Sequence, residues 1–280
     1  FKWIDGVNVI TPKRAALSPD GKWLYLTMYN ETYSGCHGIC LWRHTVKRIR
    51  YDRDGGKVEA FLGGKKPGKG VGEFNHPADV VCDAQGRVYV ADHLNDRIQV
   101  FDAEAKHLKN ISVKRPTRIT IDPRNGEIYV FSWGLPREGE TGSAGAPMTV
   151  GMNKWRRSKK ADFFQLTKFS DIKTAKETAS WNLQAVTDLN ATHCGNLEID
   201  ACVDPWSDPL RIWITAPLKI GRKKRGLGAM ILALKDNEWV VERHLLRDAK
   251  RKIIRTRPAI FNRQRLYVNP ADGMLYMAAG

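Results

Sequence analysis

The sequence predicts an all-β fold built from one repeated hairpin unit. A turn of the type Pro-Asp-Gly or Asp-x-x-Gly recurs between two short apolar runs, and these runs are rich in β-branched and aromatic residues. Asp, Asn, Gly and Pro are the residues that a tight hairpin needs, and the flanking runs have the composition of strands. Because the unit occurs five times, the sequence favours a repeat architecture.

The five hairpins follow one another along the chain and supply pairs of inner strands. They span residues 16–26, 81–90, 119–130, 202–214 and 266–277. Two outer strands should follow each complete hairpin. We expect these outer pairs at 39–43 and 57–62, 97–101 and 107–113, 163–169 and 178–183, and 229–234 and 239–246.

The second copy, from Gly68 to Asp102, is the best defined. A Gly-rich approach at 68–72 leads through His76 into a strand, an Asp-x-x-Gly turn, a second strand, a polar turn and a third strand. This pattern resembles an NHL repeat, one blade of a β-propeller, with a strong match over 68–113. In the polar turn we expect Asp92 to accept backbone N–H bonds, and Arg97 to pair either with Asp92 or with a neighbouring blade.

The resemblance implies a β-propeller of four-stranded antiparallel blades. The chain starts without Met and stops inside an apparent strand, so we expect an incomplete arc of a six-bladed ring. The prediction is a single propeller domain truncated at both ends. Its blades would span about 15–64, 76–113, 117–189 and 195–247, with a partial blade at 263–280.

The chain is strongly basic, with a formal net charge of +16. Residues 43–69 hold 9 basic and 3 acidic residues, and residues 219–265 hold 15 and 4. Such a surface attracts polyanions, although a solvated basic face that keeps a protein soluble has the same composition. No wholly apolar run exceeds six residues, so no transmembrane helix is predicted.

Long connections are expected on one face of the propeller. They join the second strand of a blade to its third at 30–38, 134–162 and 216–228, and the last two are basic. Long loops on a rigid scaffold often carry function. The predicted ligand-binding residues are therefore Trp155, Arg156, Arg157, Lys223, Lys224, Arg225 and His93. Their ligand would be a protein or an acidic polymer, and Trp155 in its basic cluster is also compatible with nucleic acid.

Four of the seven histidines, at positions 37, 76, 93 and 193, fall in connections on this same predicted face. His76 and His193 precede inner strands, and Asp79 and Glu198 follow them closely. Imidazoles and carboxylates converging at a channel mouth would suit a divalent metal such as Ca or Zn. The alternative is that His76 only shapes the entry to its blade, since no His-x-x-x-His or Cys-x-x-Cys spacing is present.

Five cysteines are too few for a disulfide framework. Cys36 with Cys40, and Cys194 with Cys202, are each either a bridge or two free thiols, and Cys82 is expected to be a small buried residue. Sparse cysteine, nine Trp residues and the propeller pattern favour an exported bacterial protein, secreted or periplasmic.

The resemblance implies a recognition platform for proteins, RNA or glycans. A minority of similar propellers are metal-dependent enzymes, such as the amidating lyases and the gluconolactonase-like hydrolases. Their catalytic motifs cannot be matched to this sequence, which also lacks Gly-x-Ser-x-Gly, Walker and dinucleotide fingerprints. We therefore expect a non-enzymatic ligand- or protein-binding propeller. A metal-dependent lyase or hydrolase is the first alternative, and an RNA-binding platform is the second.

Overall fold

The computed structural model describes residues 14–27, 44–52, 57–133, 164–187, 200–220, 224–244, 264–268 and 275–279. Strands dominate these ranges, which also contain one short helix, α1 (Leu183–Thr187), and one 3-10 turn, His93–Asn95. Among the described residues, no helix has the length and apolar character needed to cross a membrane.

The strands form four four-stranded sheets and one hairpin. The first sheet contains β1 (Arg14–Leu17), β2 (Trp23–Thr27), β3 (His44–Arg50) and β4 (Val58–Gly64), and the second contains β5 (Pro77–Cys82), β6 (Val88–Asp92), β7 (Arg97–Phe101) and β8 (His107–Ser112). The third contains β9 (Pro116–Ile121), β10 (Ile128–Trp133), β11 (Phe164–Phe169) and β12 (Glu177–Asn182). The fourth contains β13 (Asp200–Asp204), β14 (Arg211–Ile220), β15 (Lys224–Lys235) and β16 (Glu238–His244), and the hairpin is β17 (Gln264–Val268) with β18 (Leu275–Ala279).

Each four-stranded sheet places its strands in chain order and is antiparallel, which is the topology of a propeller blade. The predicted fold class, a β-propeller of four-stranded antiparallel blades, is therefore confirmed. The total of six blades stays a prediction, as do the single domain and its ends. The strands fall into two compact units, with β1 to Ser132 of β10 in the first and β11 to β18 in the second.

Within the first unit, the inner strands of successive blades are neighbours: β1 lies against β5, and β5 against β9. One buried apolar cluster joins the first two blades. It contains Tyr25, Val46, Phe74, Val80, Val88, Val90 and Phe101. Alternate residues of each strand point to the same face of its sheet, so a few side chains from each strand suffice to build this core. The cluster fixes the connection between β4 and β5, because Phe74 lies in that connection and is fully buried.

The predicted position of the third strand of the first blade differs from the structure. The third strand of the first blade is β3, at His44–Arg50, whereas the sequence predicted it at 39–43, which lies outside the described residues. A bulge between Val46 and Lys47 interrupts the regular pairing of β3 with β4. The bulge and the run of basic residues break the apolar alternation that marks a strand in the sequence.

The predicted basic loop at 216–228 is also corrected by the structure. Strands β14 and β15 pair antiparallel from Arg211 opposite Ala233 to Ile220 opposite Lys224. Pro217, Gly226 and Gly228 have the composition of a loop, but here they lie in a long paired hairpin. Cross-strand pairing, which satisfies the backbone N–H and C=O groups, prevails over local propensity at these positions.

Candidate functional site

The candidate site lies at one end of the second blade, where two connections meet. One connection, residues 65–76, leads from β4 into β5, and the other is the turn 93–96 between β6 and β7. The N–H of Leu94 donates to the carbonyl of Asn75 at 3.0 Å, and the N–H of His93 to that of His76 at 3.3 Å. The connection from the preceding blade and the turn between β6 and β7 therefore meet at one end of this blade. We call this end the histidine end, because His44, His76 and His93 all lie there.

A buried carboxylate organises the histidine end. Asp92 has no exposed surface, and it accepts hydrogen bonds from the N–H of Asn75 (2.7 Å), from Nδ2 of Asn95 (2.8 Å) and from Nε of Arg97 (2.8 Å). Burial raises the pKa of Asp92, although these three hydrogen-bond donors oppose the shift. The expected pairing of Asp92 with Arg97 is present, and its role is to hold the turn.

His93, one of the predicted ligand-binding residues, is only 1% exposed. Its Nδ1 lies 3.1 Å from the carbonyl oxygen of Pro116 and 3.3 Å from Oγ1 of Thr117. Because a carbonyl oxygen only accepts hydrogen bonds, Nδ1 donates to Pro116. His93 thus ties the β6–β7 turn to the start of β9, and burial removes it from the ligand surface that the sequence predicted.

His76 occupies a left-handed backbone position, with φ of 64°, immediately before Pro77. Its backbone N–H donates to Nδ1 of His44 at 3.0 Å, and its ring centroid lies 5.6 Å from that of His93. Burial lowers the pKa of His44. No motif in the sequence joins His44 to His76, which are 32 positions apart.

Asp79, a predicted metal ligand, instead belongs to a row of charges on three inner strands. It lies on β5 between Arg14 of β1 and Arg118 of β9. Its carboxylate accepts from Nη1 of Arg118 at 3.0 and 3.1 Å and from the N–H of Ile119 at 2.8 Å, and Nε of Arg14 is 4.0 Å away. The side chain of Asp79 is 1% exposed. Neither arginine was among the predicted site residues, although each lies within the first three residues of its strand.

The described residues do not fit a metal centre. Among them, no group of three or more His, Cys, Asp or Glu side chains has the geometry to hold an ion. The Asp79 carboxylate is already engaged by guanidinium and backbone donors. The other predicted ligands, His193 and Glu198, lie outside the described ranges.

Most of the other predicted ligand-binding residues cannot be placed. Trp155, Arg156, Arg157 and Lys223 lie outside the described residues. Lys224 and Arg225 are on β15, opposite Ile220 and Lys219 in the β14–β15 hairpin.

The cysteine predictions are partly resolved. Cys82 is a free thiol, whereas the choice between a bridge and free thiols for Cys194 with Cys202 stays a prediction. Burial raises the pKa of Cys82 to about 12, which makes this thiol a poor nucleophile. Cys36, Cys40 and Cys194 lie outside the described residues.

Three exposed lysines at the histidine end were not among the predicted site residues. Lys65, Lys66 and Lys69 all lie in the connection from β4 to β5 and are exposed. Their signal in the sequence was the overlap of a basic segment with the Gly-rich approach to the second blade. They give the connection from β4 to β5 a local positive charge at the surface.

Comparison with known families identifies one repeat. The model of the NHL repeat matches residues 74–101, which extend from Phe74 through the end of β7. No curated protein sequence matches the chain. This match identifies an NHL repeat in the second blade, and the strand order of all four sheets is that of propeller blades.

Several solved structures resemble the chain weakly. The calcium-binding protein regucalcin from Agrobacterium tumefaciens is 20% identical, with a TM-score of 0.29, over 42% of this chain and 36% of regucalcin. A gluconolactonase from Xanthomonas campestris is 14% identical, with a TM-score of 0.44, over 82% of this chain and 60% of the enzyme. The β-propeller domain of the trilobed protease from Pyrococcus furiosus is 8% identical, with a TM-score of 0.39, over 82% and 56%. The matches span less than two thirds of each of these proteins, and they assign no activity to this chain.

Proposed function

We propose that this NHL-repeat propeller is a non-enzymatic binding module for an acidic macromolecule, either a protein or an acidic polymer. The observation that carries the proposal is the group of exposed lysines at the histidine end: Lys65, Lys66 and Lys69. They belong to a chain with a net charge of +16. Such a surface attracts polyanions and accelerates their association.

The buried groups at the same end support binding rather than catalysis. A general acid or base must exchange a proton with a substrate at hydrogen-bonding distance. Asp79 is engaged by Arg118, Asp92 by Arg97 and Asn95, and His93 by Pro116. These three groups are buried and hold strands and turns together, so they do not present an acid–base pair to a substrate.

A second basic region is a separate candidate for the binding surface. It comprises Trp155, Arg156 and Arg157 of the long connection and Lys223, Lys224 and Arg225 of the β14–β15 hairpin. Its basis is the charge of the sequence, and it requires its own variant in the binding experiment.

Salt-dependent binding to heparin tests the proposal. Each lost contact between a cation and a polyanion reduces the slope of log K against log salt by about 0.7 to 0.9. Replacing Lys65, Lys66 and Lys69 by Gln should therefore lower the slope by about 2 to 3 and weaken binding. The matched control replaces Lys106, Lys173 and Lys176, three exposed lysines in turns between outer strands, and should leave the slope nearly unchanged. Equal slopes for the two triple variants would remove the lysines of the histidine end from the proposal.

A second variant, with Arg156, Arg157, Lys223, Lys224 and Arg225 neutralised, tests the other region by the same titration. An RNA oligonucleotide replaces heparin in a parallel series. Binding to RNA that exceeds binding to heparin at equal salt would support the RNA-platform alternative. Unchanged heparin binding in both basic variants would contradict the proposed function.

The competing hypothesis is a metal-dependent lyase or hydrolase. Its support is the contact of the His76 and His93 rings at the predicted end, and His193 with Glu198 would have to complete the donor set. Elemental analysis of the purified protein decides this point. A stoichiometric divalent metal that is lost on replacing His76 by Ala would favour the enzyme over the binding module.

A further inference from the structure

The Gly-rich loop, residues 65–73, is held by hydrogen bonds to its backbone. Nδ2 of Asn95 donates to the carbonyl of Gly68 at 2.8 Å, and Nη2 of Arg97 donates to the carbonyl of Gly70 at 2.8 Å. The side chain of Gln99 accepts from the N–H of Gly72 at 3.1 Å and donates to the carbonyl of Glu73 at 2.7 Å. Three side chains from the turn and from β7 therefore fix the loop along its length.

The three side chains that hold the loop, those of Asn95, Arg97 and Gln99, are themselves held in place by a buried carboxylate. Asp92 accepts from Asn95 and Arg97, and its Oδ2 lies 3.4 Å from Nε2 of Gln99. At the end of the loop, Phe74 is fully buried, and its ring packs edge-on against Phe101 with centroids 6.2 Å apart. The shape of the loop thus depends on a buried carboxylate and a core aromatic ring, and it does not require burial of the loop's own side chains.

The side chains that this loop presents to solvent are both cationic and apolar. Lys65, Lys66 and Lys69 are exposed, and Val71 is 61% exposed. The one carboxylate of the loop, that of Glu73, accepts from the N–H of Gly70 at 2.9 Å and so is used within the loop. An isolated exposed valine needs no explanation, but Val71 belongs to the same fixed loop as three exposed lysines.

We infer that the Gly-rich loop is a preformed recognition surface for a protein segment that carries carboxylates next to an apolar side chain. The inference rests on the proposed function for its acidic preference, and it adds the partner class and the apolar contact at Val71. Charge complementarity selects carboxylates for the lysines. A sulfated polysaccharide supplies charge but no aliphatic side chain for Val71. Because the backbone is already ordered, binding avoids most of the entropy cost of fixing a loop.

Two synthetic peptides of equal length and charge test the apolar contact, one alternating Glu with Leu and the other alternating Glu with Ser. Fluorescence anisotropy should show that the protein prefers the Glu–Leu peptide by about fivefold, the gain from burying part of one aliphatic pair. Val71→Ser should abolish this preference and leave binding to the Glu–Ser peptide unchanged. The control Leu108→Ser alters a side chain that is 44% exposed on outer strand β8, and it should keep the preference.

Preorganisation is tested with Arg97→Lys, which keeps the charge but replaces the guanidinium that contacts both Gly70 and Glu73. Provided that its thermal unfolding shows a folded protein, this variant should bind both peptides more weakly by about threefold or more.

Equal affinity of the wild-type protein for the two peptides, or a preference that survives Val71→Ser, overturns the inference. Heparin binding that does not depend on salt in the wild-type protein, or that is unchanged in both basic variants, would instead overturn the proposed function, so the two failures are distinguishable.

Discussion

The backbone N–H of His76 donates a 3.0 Å hydrogen bond to Nδ1 of His44, and this bond joins the second blade to the first. Nδ1 can accept this hydrogen bond only while it carries no proton. Burial lowers the pKa of His44 below the ordinary value for histidine. The junction is therefore intact when His44 is neutral, and it is weakened when the ring is protonated.

The first prediction concerns the pH dependence of stability. The unfolded chain binds a proton at His44 more readily than the folded chain, so the free energy of unfolding should rise with pH through this window. His44 makes its full contribution to the free energy of unfolding above its pKa in the unfolded chain, about 6.5. This contribution is lost as the pH falls below that value towards the lowered pKa of the folded protein. Urea denaturation at a series of pH values measures it.

The control for this prediction is His44→Asn, whose amide oxygen accepts the His76 N–H without titrating. The variant should show a smaller loss of stability than the wild-type protein between neutral and mildly acidic pH. An identical pH profile for the two proteins would show that His44 is not the responsible group.

The second prediction concerns two adjacent glycines at the end of β4. Gly63 has a φ of 80°, and a Cβ there would collide with the carbonyl oxygen of His44. Gly63→Ala should therefore lower the free energy of unfolding by more than about 1 kcal/mol. At Gly64, a Cβ meets no atom within 4 Å, so Gly64→Ala is the matched control and should change stability little. Similar urea midpoints for the two variants would contradict the backbone argument.

The third prediction concerns the charge row on the inner strands. Removing the charge of Asp79 leaves the Arg118 guanidinium, whose side chain is 13% exposed, without its carboxylate. Asp79→Ala should cost about 3 to 5 kcal/mol, because breaking a buried pair leaves an uncompensated charge. A double-mutant cycle with Arg118→Met should give a coupling energy of about 1 to 3 kcal/mol. Additive effects of the two substitutions would show that the pair does not act as a unit.

How well the sequence predicted the fold depended on how far apart in the chain the interacting residues lie. Asp92 and Arg97 are five positions apart within one turn, and turn chemistry was enough to pair them. The hairpins were found for the same reason, since each one is specified by residues next to its turn. In β3 the bulge at Val46 breaks the alternation, and in β14 and β15 the residues Pro217 and Gly226 imitate a loop, so pattern alone placed these segments incorrectly.

The candidate site was less predictable because its contacts join residues that are far apart in the chain. His44 meets His76 across a blade junction, and Asp79 meets Arg118 across neighbouring inner strands. No spacing in one sequence records such contacts. The sequence identified His76 and Asp79 as residues of interest, but their partners determine what they do. For Asp79, that partner is a guanidinium.

The way in which the Gly-rich loop is held determines which of its residues can be substituted. The hydrogen bonds that Asn95, Arg97 and Gln99 make to the loop end on its backbone atoms. The side chains at positions 65, 66, 69 and 71 can therefore be exchanged with little effect on the loop's conformation. A library randomised at these four positions would therefore be displayed on an unchanged backbone frame.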